Sequence, residues 1–142
     1  MRSRLAAALA VIALVVVPVA LADGDPASDY LLEQTSFVSS YDNVPASTTK
    51  DLTALLASAK KQGFNLRVAS ICTRYDLGSV TVLFRDPTRY SKFLGEELYY
   101  YWRGELLVVM PNGYGLYKAK NLPAADKALV ARLPKLHTTN CT

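Results

Sequence analysis

Apolar and polar positions alternate along this chain with two different periods, which predicts helices and strands in alternation. Between residues 48 and 63 the apolar residues recur at helical spacing, with Thr48 suited to cap the helix and Gly63 suited to end it. Residues 66–72 form a nearly continuous apolar run that is typical of a buried strand. A short strand is expected over residues 30–38, ahead of the helix. The order strand, helix, strand indicates an α/β fold.

The second half of the chain continues this alternation. Asp86 and Pro87 are favoured residues for the start of a second helix. Residues 106–110 (LLVVM) predict a second buried strand. The Pro-Asn-Gly sequence at residues 111–113 predicts a turn, after which residues 114–117 return antiparallel as a β-hairpin.

The first 22 residues have the pattern of a secretory signal peptide. Two arginines precede an apolar run, Pro18 interrupts it, and the small residues Ala20 and Ala22 occupy the positions that a signal peptidase requires. We expect cleavage after Ala22 and a secreted or extracytoplasmic mature protein. The alternative is an uncleaved N-terminal membrane anchor, since residues 5–22 approach the roughly 20 residues that span a bilayer.

The remaining sequence predicts a single domain. Residues 23–29 are acidic and rich in turn-forming residues, and we expect a flexible lead-in there. The domain covers residues 30–134 and closes with a helix that begins at Pro123 and ends before Pro134. Residues 135–142 are expected to form a tail.

Composition excludes several functional classes. The 142 residues include 16 Lys plus Arg and 12 Asp plus Glu, a net charge of +4. Because Arg2 and Arg4 belong to the signal segment, the mature chain carries 14 basic and 12 acidic residues, a net charge of +2. Its longest basic cluster is Lys60-Lys61, which does not provide the charge footprint of a nucleic-acid-binding protein. One histidine and two cysteines exclude a His-rich metal site and a zinc ribbon.

The two cysteines, Cys72 and Cys141, have alternative interpretations. Export favours a disulfide between them, because disulfides persist outside the cytosol. Alternatively, Cys72 is a small residue of the core and Cys141 is free on the tail. A catalytic pair of Cys72 with His137 is a further alternative.

The order of these elements resembles the TPM domain. The resemblance is carried by the helix that ends at Gly63, the strands at residues 66–72 and 106–110, and the sequence GYGL at residues 113–116, and it covers residues 31–133. It implies a three-layer α/β/α sandwich with a small mixed sheet and a terminal β-hairpin. TPM domains usually continue through longer helical sequence after GYGL, so this chain would be a shortened member.

TPM domains occur in thylakoid-lumen, bacterial exported and animal membrane-associated proteins, and two functions follow from the resemblance. The first is an exported binding or accessory module whose partner is an extracytoplasmic protein or a membrane complex. The alternative is a metal-dependent hydrolase that resembles an acid phosphatase. Contact with the membrane itself is expected only if the N-terminal segment remains uncleaved.

Asp76 and Asp86 are the candidate metal ligands. They flank the connection after the strand at residues 66–72, and ligands of open α/β sheets bind at the ends of such strands. With Glu96 or Glu97 they would supply oxygen ligands for Ca²⁺ or Mg²⁺. The alternative is that Asp86 caps a helix and that the two glutamates belong to a solvated helix face.

Three arginines, Arg74, Arg85 and Arg89, are candidate phosphate-binding residues in or near the same connection. Their guanidinium groups can hold a phosphate with paired hydrogen bonds, or can pair with neighbouring aspartates at the surface. The chain lacks a Gly-rich phosphate loop and a nucleophile elbow, so the sequence identifies no catalytic nucleophile.

Four adjacent aromatic residues, Tyr99, Tyr100, Tyr101 and Trp102, form the most unusual local sequence. Beside Arg103 they are suited to a protein-binding patch or a membrane-interface contact, because both favour Tyr and Trp. The alternative is an extended segment that buries alternate residues and covers an edge of the sheet.

Overall fold

A computed structural model describes residues 24–135 and residue 141 as an α/β fold. In these residues four helices alternate with the strands of one four-stranded sheet. The helices are α1 (Pro26–Glu33), α2 (Ala46–Lys61), α3 (Pro87–Leu98) and α4 (Ala124–Ala131), and the strands are β1 (Ser36–Val38), β2 (Leu66–Ser70), β3 (Glu105–Met110) and β4 (Gly113–Lys118). No helix in this part of the chain is both long enough and apolar enough to cross a membrane.

The sheet is mixed, as predicted, with the strands in the order β1-β2-β3-β4. β1 pairs with β2 and β2 with β3 in parallel, whereas β3 and β4 are antiparallel and pair Met110 with Gly113 at their turn. The predicted β-hairpin is therefore confirmed. Parallel strands end at the same edge of a sheet, so the residues that follow β1, β2 and β3 lie at one edge, called here the carboxyl edge. The opposite edge, where β2 and β3 begin and β4 ends, is the amino edge.

Helices cover both faces of the sheet. The main core lies between the sheet and the helices α1 and α3, and its members include Leu31, Tyr90, Leu94, Leu106 and Val108. Val68 points to the opposite face from its neighbour Ala69, and α2 packs on β1 and β2 with Leu56 as its buried residue.

The N-terminal part of the domain differs from the prediction. The segment at residues 23–29 was expected to be a flexible lead-in, and residues 30–38 a strand. Instead, residues 26–33 form α1, which takes up part of both segments, and the strand is confined to Ser36–Val38. Ala27 and Leu31 are fully buried and four residues apart, so they lie on one face of a helix and anchor it to the core.

Two helix starts test the capping predictions. Asp86 accepts a hydrogen bond from the backbone N–H of Arg89 at 3.0 Å, so the predicted cap of α3 is confirmed. The predicted Thr48 cap of α2 is wrong, because Pro45 holds the N-cap position and makes no side-chain capping bond. Gly63 follows α2 with a φ of +93°, the left-handed conformation that glycine adopts readily at helix ends.

Gly115 of β4 lies directly under α3. A Cβ at this position would collide with the backbone carbonyl of Pro87 and approach the hydroxyl of Ser91. The close approach of α3 to β4 therefore requires glycine in the middle of the GYGL sequence.

We expect Gly115→Ala to lower the free energy of unfolding by about 1–3 kcal/mol, because the added methyl group meets backbone rather than a flexible side chain. Urea denaturation followed by circular dichroism measures the loss. Unchanged stability would show that α3 can move away from β4 without breaking its contacts.

Candidate functional site

The carboxyl edge brings together much of the predicted chemistry. Ser39 follows β1, Cys72 and Asp76 follow β2, and Pro111 follows β3. Open α/β sheets bind their ligands at this edge, so its side chains are the first candidates for a functional site.

Asp76 is buried at this edge, and both oxygens of its carboxylate accept hydrogen bonds from neighbouring groups of the protein. The hydroxyl of Ser39 donates to both carboxylate oxygens, at 2.8 and 2.9 Å. The backbone N–H groups of Cys72 and Thr73 donate to Oδ2 at 2.9 and 2.7 Å. These bonds connect the loop after β1 to the loop after β2, so Asp76 holds the two loops of the carboxyl edge in place relative to each other. Ser39 was not identified from the sequence, because nothing local marks a serine as the partner of a carboxylate 37 residues away.

Asp86 is occupied as a helix cap and does not join Asp76 in a metal cluster. Its carboxylate lies 3.8 Å from the guanidinium of Arg89 and accepts the capping bond described above. The two predicted glutamates are exposed, and Glu96 lies 3.9 Å from Lys92. Within residues 24–135 and 141, the side chains of metal-ligating type that come together in a group of three are those of Asp42, Cys72 and Cys141, whose ligand atoms lie within 4.8 Å of one another.

Cys72 and Cys141 lie at disulfide-bonding distance, with their Cα atoms 5.1 Å apart. Of the alternatives for the cysteines, the structure adopts the disulfide. The pair is compatible with an oxidising, extracytoplasmic location. His137 and the proposed signal peptide lie outside the described residues, and a bonded Cys72 has no thiol to act as a nucleophile.

Two of the three candidate phosphate-binding arginines share a cavity. Arg74 and Arg85 line a cavity of about 360 Å³ together with the Cys72–Cys141 disulfide. Arg89 is not part of this lining and lies on α3 beside Asp86. The three arginines that were predicted as one group therefore do not form one site, because Arg89 lies apart from the pair Arg74 and Arg85.

The aromatic run lies after α3, at the amino edge, and is not extended. Tyr99 keeps helical backbone angles, and the N–H groups of Tyr101 and Trp102 both donate to the carbonyl of Leu98, at 3.0 and 2.8 Å. Tyr100 and Tyr101 are 87% and 79% exposed, whereas Trp102 packs against the core. The alternative of an extended segment with alternate burial is therefore wrong, because the turn directs adjacent tyrosines outward.

Basic side chains lie beside the first of these aromatic residues, Tyr99. The Arg103 guanidinium lies 4.6 Å from the centre of the Tyr99 ring, a cation–π arrangement. Both residues line a cavity of about 390 Å³ that Lys118 and Lys120 also line. Lys118 is paired with Glu105 at 2.6 Å and with Asp126 at 3.7 Å, whereas Arg103 and Lys120 form no ion pair with the described residues.

A second buried carboxylate, Asp25, lies in the core at the start of α1. The hydroxyl of Tyr90 donates to it at 2.7 Å, and the N–H of Ala27 donates at 3.1 Å. Burial raises the pKa of Asp25 to about 6 despite these bonds. Burial and the neighbouring carboxylate also raise the pKa of Tyr90. The Asp-Pro dipeptide at residues 25 and 26 was the available sequence signal for this cap.

Comparison with protein-family models, with curated proteins and with solved structures gives no match for this chain. The likeness to TPM domains thus rests on the residues quoted above, and the functional argument rests on the geometry of the chain itself.

Proposed function

We propose that the mature chain is an extracytoplasmic binding module that recognises an acidic segment of a partner protein. The contact is made by the aromatic surface, defined as Tyr99, Tyr100, Tyr101 and Arg103. The observation that carries the proposal is the exposure of Tyr100 and Tyr101, adjacent side chains that leave 87% and 79% of their surface in contact with solvent. Tyrosine and arginine are enriched where protein surfaces bind one another, since each combines a large apolar area with hydrogen-bond donors.

The fold holds this surface in place before a partner binds. The backbone of the run is fixed by hydrogen bonds to Leu98 at the end of α3, and Trp102 anchors it to the core beneath. The guanidinium of Arg67 lies 4.7 Å from the centre of the Trp102 ring, a further contact that holds this side chain. A rigid aromatic surface loses little conformational entropy on binding, which favours affinity.

The charge around the aromatic surface supports an acidic partner. Arg103 and Lys120 line the adjoining cavity without an ion pair among the described residues. Lys60 and Lys61 occupy the last turn of α2, which leads to Gly63 in the wall of the same cavity. The nearby carboxylate of Glu105 is already held by Lys118. Carboxylates of a partner would therefore meet uncompensated positive charge here.

The metal-dependent hydrolase stays an alternative prediction, but this geometry favours binding over hydrolysis. The Asp76 carboxylate is saturated by donors, Asp86 caps α3, and the two cysteines are bonded to each other. A hydrolase built on these predicted residues would need at least one of them to be free as a ligand, base or nucleophile.

The exported chain, purified with its disulfide formed, can be tested with acidic peptides that contain interspersed aromatic residues. We expect chemical-shift changes centred on the aromatic surface, and a Tyr100→Ser/Tyr101→Ser variant that binds at least tenfold more weakly, about 1.4 kcal/mol, because exposed aromatic anchors dominate such contacts.

The matched control is Tyr41→Ser/Tyr75→Ser, which removes two other exposed tyrosines that approach each other at the carboxyl edge. This variant should keep the full affinity. Equal losses in the two double variants would contradict the proposal. So would binding to vesicles of anionic lipid in place of the peptides, since that result would make the surface a membrane contact.

A further inference from the structure

We infer that the cavity between Arg74 and Arg85, called here the arginine cavity, binds the oxyanion group of a small ligand. Its walls also include Thr73, the Cys72–Cys141 disulfide and Pro111. It lies at the carboxyl edge, on the strand ends opposite the aromatic surface, so it is a second site and does not depend on the function proposed above.

The position of the cavity suits a ligand site. Thr73 and Arg74 follow β2, and Pro111 follows β3, so the cavity opens where two adjacent parallel strands end. Ligands of open α/β sheets bind in such crevices. The hydrogen bond from the Thr73 N–H to the buried carboxylate of Asp76, at 2.7 Å, fixes the backbone that carries Arg74.

The positive charge of the two arginines that line the cavity favours an anionic ligand. Neither arginine forms an ion pair with a described residue, and among the described residues no carboxylate lines the walls. Asp76 is turned inward to its hydrogen-bond donors, and Asp42 approaches the disulfide sulfurs without lining the cavity. Two positively charged side chains that line one cavity repel each other, and an anion bound between them reduces that repulsion.

The backbone of Arg85 is held in a conformation that side chains rarely adopt. Its φ is +67°, and within the described part of the chain no other residue except glycine has a positive φ. The side-chain amide of Asn112 donates to the Arg85 carbonyl at 2.6 Å, and the next N–H, that of Asp86, donates to Leu83 at 3.0 Å. Strain that the surrounding structure maintains in this way is typical of binding and catalytic positions.

The ligand chemistry follows from the donors. Guanidinium groups donate parallel N–H bonds that match two oxygens of a phosphate or a carboxylate. A volume of about 360 Å³ accommodates such a group with a small organic substituent. The sulfurs in the wall are bonded to each other, so the cavity presents no thiol, and the ligand binds without a covalent step.

The test is a titration of the exported chain with inorganic phosphate, a phosphate monoester and citrate at constant ionic strength, followed by calorimetry and thermal unfolding. We expect saturable binding at millimolar concentration or below. Preference for the phosphate compounds would identify a phosphate group as the ligand, and preference for citrate would identify a carboxylate.

Four variants locate the site. Arg74→Gln and Arg85→Asn should each weaken binding at least tenfold, and asparagine tolerates the left-handed backbone at position 85. Arg85→Lys, which keeps the charge but not the paired donors, should bind with intermediate affinity. Arg89→Gln removes the same charge from α3, outside the cavity, and should bind as tightly as the natural chain.

Two results would overturn the inference. One is the absence of saturable binding by any of the three anions at constant ionic strength. The other is an equal loss in Arg89→Gln and Arg74→Gln, which would show general attraction of anions by a basic surface. The double tyrosine variant Tyr100→Ser/Tyr101→Ser should retain anion binding, so failure of this inference is distinguishable from failure of the proposed function.

Discussion

Replacing Cys141 with serine is expected to lower the free energy of unfolding by about 4 kcal/mol. The disulfide to Cys72 joins residues 69 positions apart, and closing a loop of that length restricts the unfolded chain far more than the folded one. Urea denaturation of the disulfide-bonded chain, followed by circular dichroism, measures the difference. Cys141 is the better position to change because Cys72 is 3% exposed, and its replacement would also disturb the core.

Reduction provides the control for the disulfide. Treatment of the natural chain with a dithiol should lower its stability to the level of Cys141→Ser, and the variant itself should not respond to the dithiol. A loss below about 1 kcal/mol would contradict the prediction, because it would place the bond at the low end of the range measured for disulfides.

Elements with strong local signals were predictable from the sequence. Asp86 and Pro87 provide a cap and a first helical residue within two positions, and α3 begins there as expected. The strand predicted at residues 106–110 is β3, because its apolar residues, its length and the turn that follows it all indicate a buried strand.

α1 was missed because its stability depends on residues far along the chain. The helix has eight residues and buries just Ala27 and Leu31, too few positions to show a helical period. Its cap, Asp25, bonds to the hydroxyl of Tyr90, which is 65 residues away. Isolated helices of this length are unstable in water, so contacts with the core decide the outcome, and a local pattern does not record them.

The sequence predicted which loops carry the candidate site residues, but it did not predict which other residues their side chains contact. Because they are close in sequence, Arg74, Arg85 and Arg89 were predicted to bind one phosphate together. In the structure Arg74 and Arg85 line one cavity, whereas Arg89 lies in the first turn of α3 and pairs with Asp86. Asp76 was expected to face a ligand, yet its carboxylate turns inward to Ser39. The direction of a side chain at the end of a strand depends on the loop packed against it, and that loop comes from another part of the chain.

Replacing Asp25 with asparagine is expected to remove a pH dependence of stability. The pKa of Asp25 is about 6 in the folded protein and 3.8 in a solvated chain, so between these values the folded state holds a proton that the unfolded state has lost. Its contribution to stability is complete below pH 3.8 and is lost as the pH rises through 6. The difference of two pKa units corresponds to about 3 kcal/mol between pH 3 and pH 8.

An asparagine amide still accepts the hydrogen bonds of Tyr90 and Ala27 but does not ionise. The stability of Asp25→Asn relative to the natural chain should therefore rise by about 3 kcal/mol from pH 3 to pH 8, measured by urea denaturation at each pH. Taking the difference between the two proteins cancels the titration of their shared groups. A constant difference between the two proteins would contradict the burial of this carboxylate, because a solvated carboxylate would titrate alike in the folded and unfolded chains.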